Sequence, residues 1–423
     1  MRSRREFLTG TAVAFALCSK TMAQLERVAA QSGSGGPDDE AFWGKVRDLF
    51  DIDPEVTVFN HAGLSPSPRA ARETIAEQTK RANVDPSLII WRRQDNELDP
   101  IRKQLAEIVG CQTEELALTI NASYGLQTAI MGVPMSAGDE ILATTHEYSR
   151  SLTAIEQRRR RDGIKPVIIP LKAPFTSKND LIKLILGGVS AKTKLIVLSQ
   201  ITFLTGALMP VKEIAAAVAG RDIPVLMDGA HGVGLLPDKF TDINATAYTA
   251  CLHKWMMAPI GTGVFVVKRP WINKIWPLHP ADESLDNSIR RFEQIGTRSA
   301  APFLAIQRSL ELHNMLGRER KAARLEFLRN RLAAFVLNAK GVTNYSTLDT
   351  EKDRVLFAVG FEKADAITLA GWLLSTHKIH VTTVVRAGIN AIRISPNVFT
   401  TTAEIDRLGA ILSKVAKDGI EPV

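Results

Sequence analysis

Short apolar runs alternate with amphipathic stretches along the chain from about residue 116. Between the runs, apolar residues recur at helical spacing, as at residues 126–131, 152–160, 181–186 and 212–219. The apolar runs themselves predict strands at residues 116–120, 140–143, 166–169, 195–198, 224–227, 247–251 and 263–267. Strands that alternate with helices of this size predict a mostly parallel, seven-stranded sheet covered by helices on both faces.

The last third of the chain has a different pattern. Residues 303–338 predict one or two long helices, and the strand-like segments 355–359 and 392–394 mix with predicted helices at 364–374 and 402–417. We therefore predict an α/β protein with two domains, a large one over residues 42–300 and a smaller α+β domain over residues 301–423. A chain of 423 residues is long enough for each domain to bury its own core.

The first residues have the pattern of an export signal. Arg4 and Arg5 precede Phe7-Leu8 and an uncharged stretch, and small residues at Thr21 and Ala23 precede Gln24. This order predicts a twin-arginine-type signal peptide over residues 1–23, a periplasmic location, and the twin-arginine export machinery as a partner. The apolar segment is too short to be a stable membrane anchor. Residues 24–41 have the Gly-, Ser- and Pro-rich composition of a linker.

Composition excludes some other classes of protein. The net charge is +8, but the one concentrated basic run, residues 158–161, ends a predicted helix, where exposed carbonyls favour solvated cations. The run lacks the interleaved aromatic residues of a nucleic-acid site, so no nucleic-acid partner is predicted. The three cysteines, Cys18, Cys111 and Cys251, have neither metal-ligand spacing nor a disulfide framework. We predict no metal site.

The residues that indicate chemistry are Asp228 and Lys254, each near the end of a predicted strand. Open α/β sheets place ligands at the carboxyl ends of their strands, and a buried charge there requires a partner. A carboxylate can keep a pyridine nitrogen protonated, and a lysine can form an imine with an aldehyde. The pair therefore fits a pyridoxal 5'-phosphate (PLP) site. The alternative is a buried ion pair that only organises loops.

Motifs around this pair resemble those of the class V aminotransferase family, the cysteine desulfurase-like group of fold-type I PLP enzymes. They are Asn60-His-Ala-Gly63, Asp228-Gly-Ala-His231, His253-Lys-Trp255, Pro259-Ile-Gly-Thr-Gly263, Gly296-Thr-Arg298 and Arg393-Ile-Ser-Pro396. The motifs follow the family's order over nearly the whole mature chain. The resemblance implies the PLP-dependent transferase fold of type I, with PLP held as a Schiff base on Lys254.

The resemblance also implies roles for the residues that contact the cofactor ring. Asp228 matches the partner of the pyridine nitrogen, and His231 matches the residue that approaches the ring oxygen. With Lys254, these are the expected catalytic residues. Tyr148 occupies the place of the residue that stacks on the ring, and an aromatic side chain suits that face. The alternative for Tyr148 is an ordinary core tyrosine.

Phosphate binding is expected at a helix start. Ala122 and Ser123 open a predicted helix, whose backbone N–H groups attract anions, and the resemblance adds His253 as a second phosphate contact. Family members usually also receive a Gly-Thr pair from the partner subunit. Here that pair includes Thr297, so a homodimer with a shared active site is expected.

Substrate binding is expected at four residues. Arg386 and Arg393 compete for the substrate carboxylate, since either can pair with it through two hydrogen bonds, and Arg393 is slightly favoured. Asn60 and His61 belong to the N-terminal motif, and His61 is also a candidate second acid. The small-molecule partner is expected to be an amino acid.

The reaction is left open among several alternatives. No cysteine follows Cys251, which argues against the persulfide chemistry of cysteine desulfurases. The motifs at Tyr148 and Lys254 look more like the isopenicillin N epimerase-like branch. We expect an aminotransferase-like reaction on an amino acid or small amine, with epimerisation, racemisation or a lyase reaction as alternatives. A secreted binding protein without catalysis is the remaining hypothesis, and an imine-forming lysine argues against it.

Overall fold

The computed structural model describes residues 35–175, 177–349, 351 and 354–420. The predicted signal peptide, with Arg4 and Arg5, lies outside these residues, as does most of the predicted linker. No helix in the described ranges is long and apolar enough to cross a membrane.

The described strands, in chain order, are β1 (Thr57–Val58), β2 (Leu116–Thr119), β3 (Glu140–Thr144), β4 (Lys165–Ile169), β5 (Thr193–Ser199), β6 (Val225–Asp228), β7 (Ala247–Cys251), β8 (Gly263–Val267), β9 (Val342–Asn344), β10 (Phe357–Phe361), β11 (Ile379–His380), β12 (Thr382–Arg386) and β13 (Ile389–Ile394). The α-helices are α1 (Glu40–Arg47), α2 (Arg69–Ala82), α3 (Pro86–Arg92), α4 (Gln94–Val109), α5 (Ala122–Gly132), α6 (Ser149–Asp162), α7 (Lys178–Gly187), α8 (Val211–Val218), α9 (Phe240–Ile243), α10 (Ala301–Leu304), α11 (Ile306–Leu316), α12 (Arg318–Ala334), α13 (Ala366–His377) and α14 (Thr402–Asp418).

A seven-stranded sheet forms the centre of the large domain, in the order β2-β8-β7-β6-β5-β3-β4. Only β8 runs against its neighbours, so the predicted mostly parallel sheet is confirmed. Helices cover both faces, and β6 shows the consequence for sequence. Val225 and Met227 enter one core, whereas Leu226 enters the core on the opposite face. A strand buried on both faces is apolar throughout, which explains why the apolar runs predict the strands correctly.

The smaller α+β unit contains a four-stranded antiparallel sheet, in the order β12-β13-β10-β9, with α13 and α14 packed in its core. Strand β1 pairs in parallel with β11, so Phe59 from the N-terminal segment also enters this core. In contrast, Ala300, Phe303 and Leu310 belong to the core of the large domain. Helix α10 and the first part of α11 therefore pack in the core of the seven-stranded sheet, whereas Leu312 and Leu316 of α11 belong to a separate core.

The packed chain begins before the predicted linker ends at residue 41. Asp39 caps α1 by accepting a hydrogen bond from the backbone of Phe42. The indole of Trp43 donates to the carbonyl of Gly36 at 2.9 Å, and Arg324 donates to Pro37 at 2.8 Å. Residues 35–41 are therefore part of the fold, since two buried aromatic side chains and a buried guanidinium hold them in place.

The basic run at the end of α6 is only partly solvated, which corrects the expectation for Arg158. Its side chain is 3% exposed, and one terminal nitrogen donates to the carbonyls of Ile130, Met131 and Val133 at 2.7 to 3.1 Å. These carbonyls end α5 and have no partner inside their own helix. Arg158 therefore satisfies the end of α5 and pairs with Asp162.

Candidate active site

Asp228 is the last residue of β6, and its carboxylate is buried at the carboxyl edge of the sheet. One oxygen, Oδ1, accepts a hydrogen bond from the backbone of Ala230 at 3.0 Å, whereas Oδ2 accepts none within the described residues. Burial raises the pKa of Asp228, and the Ala230 bond and the charge of Lys254 oppose this effect. Gly229 is required beside it, because a Cβ there would lie 1.8 Å from the ring of Tyr248.

Lys254 and His231 meet next to this carboxylate. Lys254 Nζ lies 3.3 Å from His231 Nε2, and the buried Nδ1 of His231 has no partner among the described residues. Burial lowers the pKa of His231 well below its ordinary value, and Lys254 and Arg393 lower it further. Burial also lowers the pKa of Lys254, with Cys251 and Asp228 opposing. His231 is therefore neutral near pH 7, and Lys254 has an enlarged neutral fraction.

The loop that carries Lys254 is anchored on both sides. The backbone of Met257 donates to the carbonyl of Lys254 at 3.0 Å, and Met257 adopts a φ of 53°. Ser309 from α11 holds the Met257 carbonyl at 2.9 Å, and Ser65 from the N-terminal segment donates to the His253 carbonyl at 3.0 Å. A non-glycine residue in the left-handed region is strained, and these hydrogen bonds hold Met257 in that conformation.

The start of α5 lies against the end of β7. Asn121 caps the helix by accepting from Tyr124 at 2.9 Å, and the backbone of Ala122 donates to Cys251 Sγ at 3.3 Å. The Ser123 hydroxyl has no hydrogen-bond partner in the described part of the chain. The Nδ1 of His253 is buried and also has no partner there. A helix start with unpaired donors is a site for an anion.

Cys251 does not have the properties of a nucleophile. Burial raises the pKa of its thiol, although Lys254 and the Ala122 N–H oppose the shift. Since the thiolate is the reactive form, the sulfur acts as a packing atom and a weak acceptor below α5.

Tyr148 immediately precedes α6 and faces Phe203 edge-on, with ring centroids 5.5 Å apart. Its side chain is 37% exposed, so the alternative of an ordinary core tyrosine is wrong. Arg386 reaches the same place from the small domain. It donates to the Thr145 carbonyl at 3.2 Å, and its guanidinium lies 5.6 Å from the Phe203 ring centroid.

Arg393 is buried beside this group and is more tightly held than Arg386. It donates to the Phe203 carbonyl at 2.7 Å and to Asn60 Oδ1 at 2.9 Å. Burial lowers its pKa to about 10, and its charge contributes to the lowered pKa of Lys254. The structure thus brings Asn60 and Arg393 to the group that contains Lys254.

Two predicted site residues lie elsewhere in the chain. His61 packs edge-on against Phe399 with centroids 5.0 Å apart, and it lines a separate cavity of about 220 Å³ with Arg47 and Leu64. Burial lowers its pKa to about 4. Thr297 is exposed on the loop before α10. Neither side chain has a recorded contact with Lys254 or Asp228 within this single described chain.

Glu147 is a residue that the sequence analysis did not single out. It is fully buried just after β3, and burial raises its pKa to about 7. Hydrogen bonds from Ser199 and Thr144 oppose that shift, and the charge of Asp228 adds to it. The signal available for it was a carboxylate three residues beyond the end of the apolar strand β3.

The chain matches the model of the aminotransferase class-V family over residues 59–408, and it belongs to that family. This membership confirms the expected class of enzyme and its cofactor, PLP. A curated relative, the isopenicillin N epimerase of Streptomyces clavuligerus, is 25% identical over 88% of this chain and 98% of its own length.

Solved structures confirm the expected fold. An apo cysteine desulfurase from Thermococcus onnurineus NA1 is 18% identical and has a TM-score of 0.74, over 88% of this chain and 97% of the other. A mutant of C-DES with glycine covalently linked to its PLP cofactor is 21% identical and has a TM-score of 0.76, over 87% of this chain and 98% of the other.

Proposed function

We propose that the chain is an aminotransferase-like enzyme that acts on an amino acid or small amine, with Lys254 as the lysine that holds PLP. The observation that carries the proposal is a buried Asp228 with an unpaired Oδ2, close enough to Lys254 for the two charges to shift each other's pKa, while Lys254 contacts His231. PLP, when bound, withdraws electrons from the α-carbon of an amino acid joined to it. The side chains of this site provide the binding and the proton transfer.

The unpaired groups fit the cofactor ring. Asp228 Oδ2 is a free acceptor in a buried place, which suits the N–H of a pyridinium. His231 lies beside Lys254 and presents a neutral imidazole, which suits the ring oxygen. Tyr148 offers a partly exposed aromatic face for stacking.

The donors at the start of α5 fit the phosphate. Ala122 and Ser123 supply the helix start, and His253 adds an unpaired ring nitrogen. The exposed Thr297 is proposed to complete this site from the partner subunit, so the enzyme works as a homodimer.

Lys254 is proposed to move the proton of the α-carbon. Its lowered pKa enlarges the fraction of neutral amine, the form that accepts a proton. Arg393 is proposed to hold the substrate carboxylate, because its unpaired Nε and its contact with Asn60 leave an ordered guanidinium at the site. Arg386 is the alternative.

Epimerisation is the second candidate reaction, and one observation favours it. A relative that matches 88% of the chain is an isopenicillin N epimerase. Removal and return of the α-proton are common to both reactions, which differ in the carbon that receives the proton.

The test is incubation of the enzyme with single amino acids in deuterated water, without a keto acid. Conversion of the bound PLP to pyridoxamine phosphate supports the aminotransferase proposal. Deuterium at the α-carbon with loss of optical purity, and no pyridoxamine phosphate, supports epimerisation instead. Release of pyruvate and ammonia would identify a lyase. The Lys254→Ala variant is the control for reactions of free PLP.

We also propose that the enzyme works in the periplasm. The support is the Arg4-Arg5 motif, followed by an uncharged segment and small residues before Gln24.

A further inference from the structure

Glu147 ties together the carboxyl ends of two neighbouring strands. Its Oε1 accepts from the hydroxyl of Thr144, the last residue of β3, at 2.6 Å. Its Oε2 accepts from both the backbone N–H and the hydroxyl of Ser199, the last residue of β5, each at 2.6 Å. All three hydrogen bonds are buried, and together they join the ends of β3 and β5 through one side chain.

This carboxylate lies between the residues proposed to hold opposite parts of the cofactor ring. Tyr148, proposed for the ring face, follows Glu147 directly in the chain. Asp228, proposed for the ring nitrogen, is the register partner of Ser199 in the parallel pair of β5 and β6. The backbone of Gln200 also donates to the Asp228 carbonyl at 2.7 Å. Two hydrogen-bonded steps and two peptide bonds therefore connect Tyr148 to Asp228, through Glu147, Ser199 and Gln200.

We propose that Glu147 is a positioning residue that fixes the separation between Tyr148 and Asp228, and thereby the position of the PLP ring between them. This inference rests on the proposed function, because it assumes that these two residues hold the ring. Without the Glu147 carboxylate, the end of β3 is no longer bonded to Ser199 through a side chain. The Tyr148 ring then loses its defined distance from the Asp228 carboxylate.

The chain contains a matched control at the other edge of the same strands. Glu140, the first residue of β3, accepts from the hydroxyls of Ser190 at 2.5 Å and Thr193 at 3.4 Å. Thr193 begins β5 and is the register partner of Glu140. Glu140 therefore joins the same two strands by the same type of bond, at the edge opposite to Asp228 and Lys254.

The experiment compares Glu147→Ala, Glu147→Gln, Ser199→Ala and Glu140→Ala in the full-length protein purified with PLP. Three quantities are measured: the PLP dissociation constant, the circular dichroism of the bound PLP in its visible band, and the midpoint of thermal unfolding. Visible dichroism reports the asymmetry of the ring's surroundings, which a loss of general stability does not change.

We expect Glu147→Ala to weaken PLP binding roughly tenfold, as for the loss of about 1.4 kcal/mol, and to change the visible dichroism. Glu147→Gln and Ser199→Ala should have smaller effects in the same direction, since each keeps part of the hydrogen bonding. Glu140→Ala should lower the thermal midpoint but leave PLP affinity and dichroism at the wild-type values.

Wild-type affinity and dichroism in all three variants at Glu147 and Ser199 would overturn the inference, as would equal changes in Glu140→Ala. If Glu147→Ala does not fold, the glutamine and Ser199→Ala variants give the same decision. A wild-type protein that gains no visible absorbance with PLP would instead refute the proposed function, so the two failures are distinguishable.

Discussion

Lys321 Nζ donates a hydrogen bond of 3.0 Å to the backbone carbonyl of Trp255, the residue that follows Lys254. Lys321 is 1% exposed, and no ion pair with it is found among the described residues. Burial lowers its pKa to about 7, with a smaller contribution from Arg318. The loop that carries Lys254 is thus held by the Lys321 amine, which loses its proton more readily than an ordinary lysine does.

This burial predicts a pH-dependent stability. Between pH 7 and pH 10 the unfolded chain holds the proton on Lys321 and the folded chain does not, so the free energy of unfolding should rise with pH, by at most about 1.4 kcal/mol per pH unit. Lys321→Met should reduce this rise by the contribution of Lys321, and the exposed Lys183→Met should leave it unchanged. Urea unfolding across this range measures both. An unchanged slope in Lys321→Met would contradict the prediction.

Lys254→Ala should abolish covalent attachment of the cofactor. Borohydride reduction of the wild-type protein is expected to leave the label on the peptide that contains Lys254, and none on the other buried lysine, Lys321. The variant can still bind PLP through its phosphate contacts, but catalysis should fall at least about a thousandfold, because the proton-transfer group is lost. Mass spectrometry of the reduced peptides and a rate assay measure these outcomes. Label on another lysine would refute the role.

The two arginines should differ in their effect on substrate binding. Arg393→Lys is expected to lower kcat/KM by roughly a hundredfold, because a lysine cannot reproduce the buried, two-sided hydrogen bonding of the guanidinium. Arg386→Lys should have a smaller effect, since this side chain is half-buried and, among the described residues, contacts the Thr145 carbonyl and the Phe203 ring. Steady-state kinetics of the two variants decide between them. A larger loss at Arg386 would transfer the carboxylate role to it.

Thr297 should act across the dimer. Thr297→Ala is expected to weaken PLP binding roughly tenfold, as for one hydrogen bond to a charged group. Mixed dimers of Thr297→Ala and Lys254→Ala chains should recover one wild-type site, in which Lys254 and Thr297 come from different chains. Titration of the purified mixed dimer with PLP measures this recovery. If Thr297 serves its own chain, the mixed dimer will recover no tight site.

Export should depend on the arginine pair. Arg4→Lys combined with Arg5→Lys is expected to leave a folded, PLP-loaded protein in the cytoplasm, since the arginine pair acts as a targeting signal for export. Cell fractionation followed by the absorbance of bound PLP measures location and folding together. Unchanged delivery to the periplasm would indicate the general secretory route.

The sequence predicts the central sheet well because its inner strands are buried on both faces and are therefore mostly apolar, although the edge strand β4 is partly exposed. The sequence predicts α2 less clearly, because Ala71 is the buried residue of this helix and no apolar stripe marks it. Arg158 shows another limit. Its partners are the carbonyls of a different helix, and such a contact is a property of tertiary packing that a local charge pattern does not contain.

The residues of the candidate site also differ in how far the sequence predicts them. Asp228 and Lys254 can be predicted because each is a charge at the end of an apolar strand, and their neighbour His231 follows from the motif. Glu147 lies three residues beyond the end of β3, and its importance depends on Ser199, which lies 52 positions later in the chain. The location of His61 depends on how the N-terminal segment crosses the small domain, which no local pattern specifies.

That crossing has a consequence for the substrate side of the site. Strand β1 is hydrogen-bonded to β11, and Asn60 forms a parallel bridge with Ser395, two residues beyond Arg393. Strand pairing therefore holds Asn60 beside Arg393, although they are 333 positions apart in the chain. The same guanidinium also donates to the Phe203 carbonyl, which lies in the segment after β5 of the seven-stranded sheet. The alignment of the arginine thus depends on contacts from both sheets at once, and a displacement of either sheet would change how it meets a substrate carboxylate.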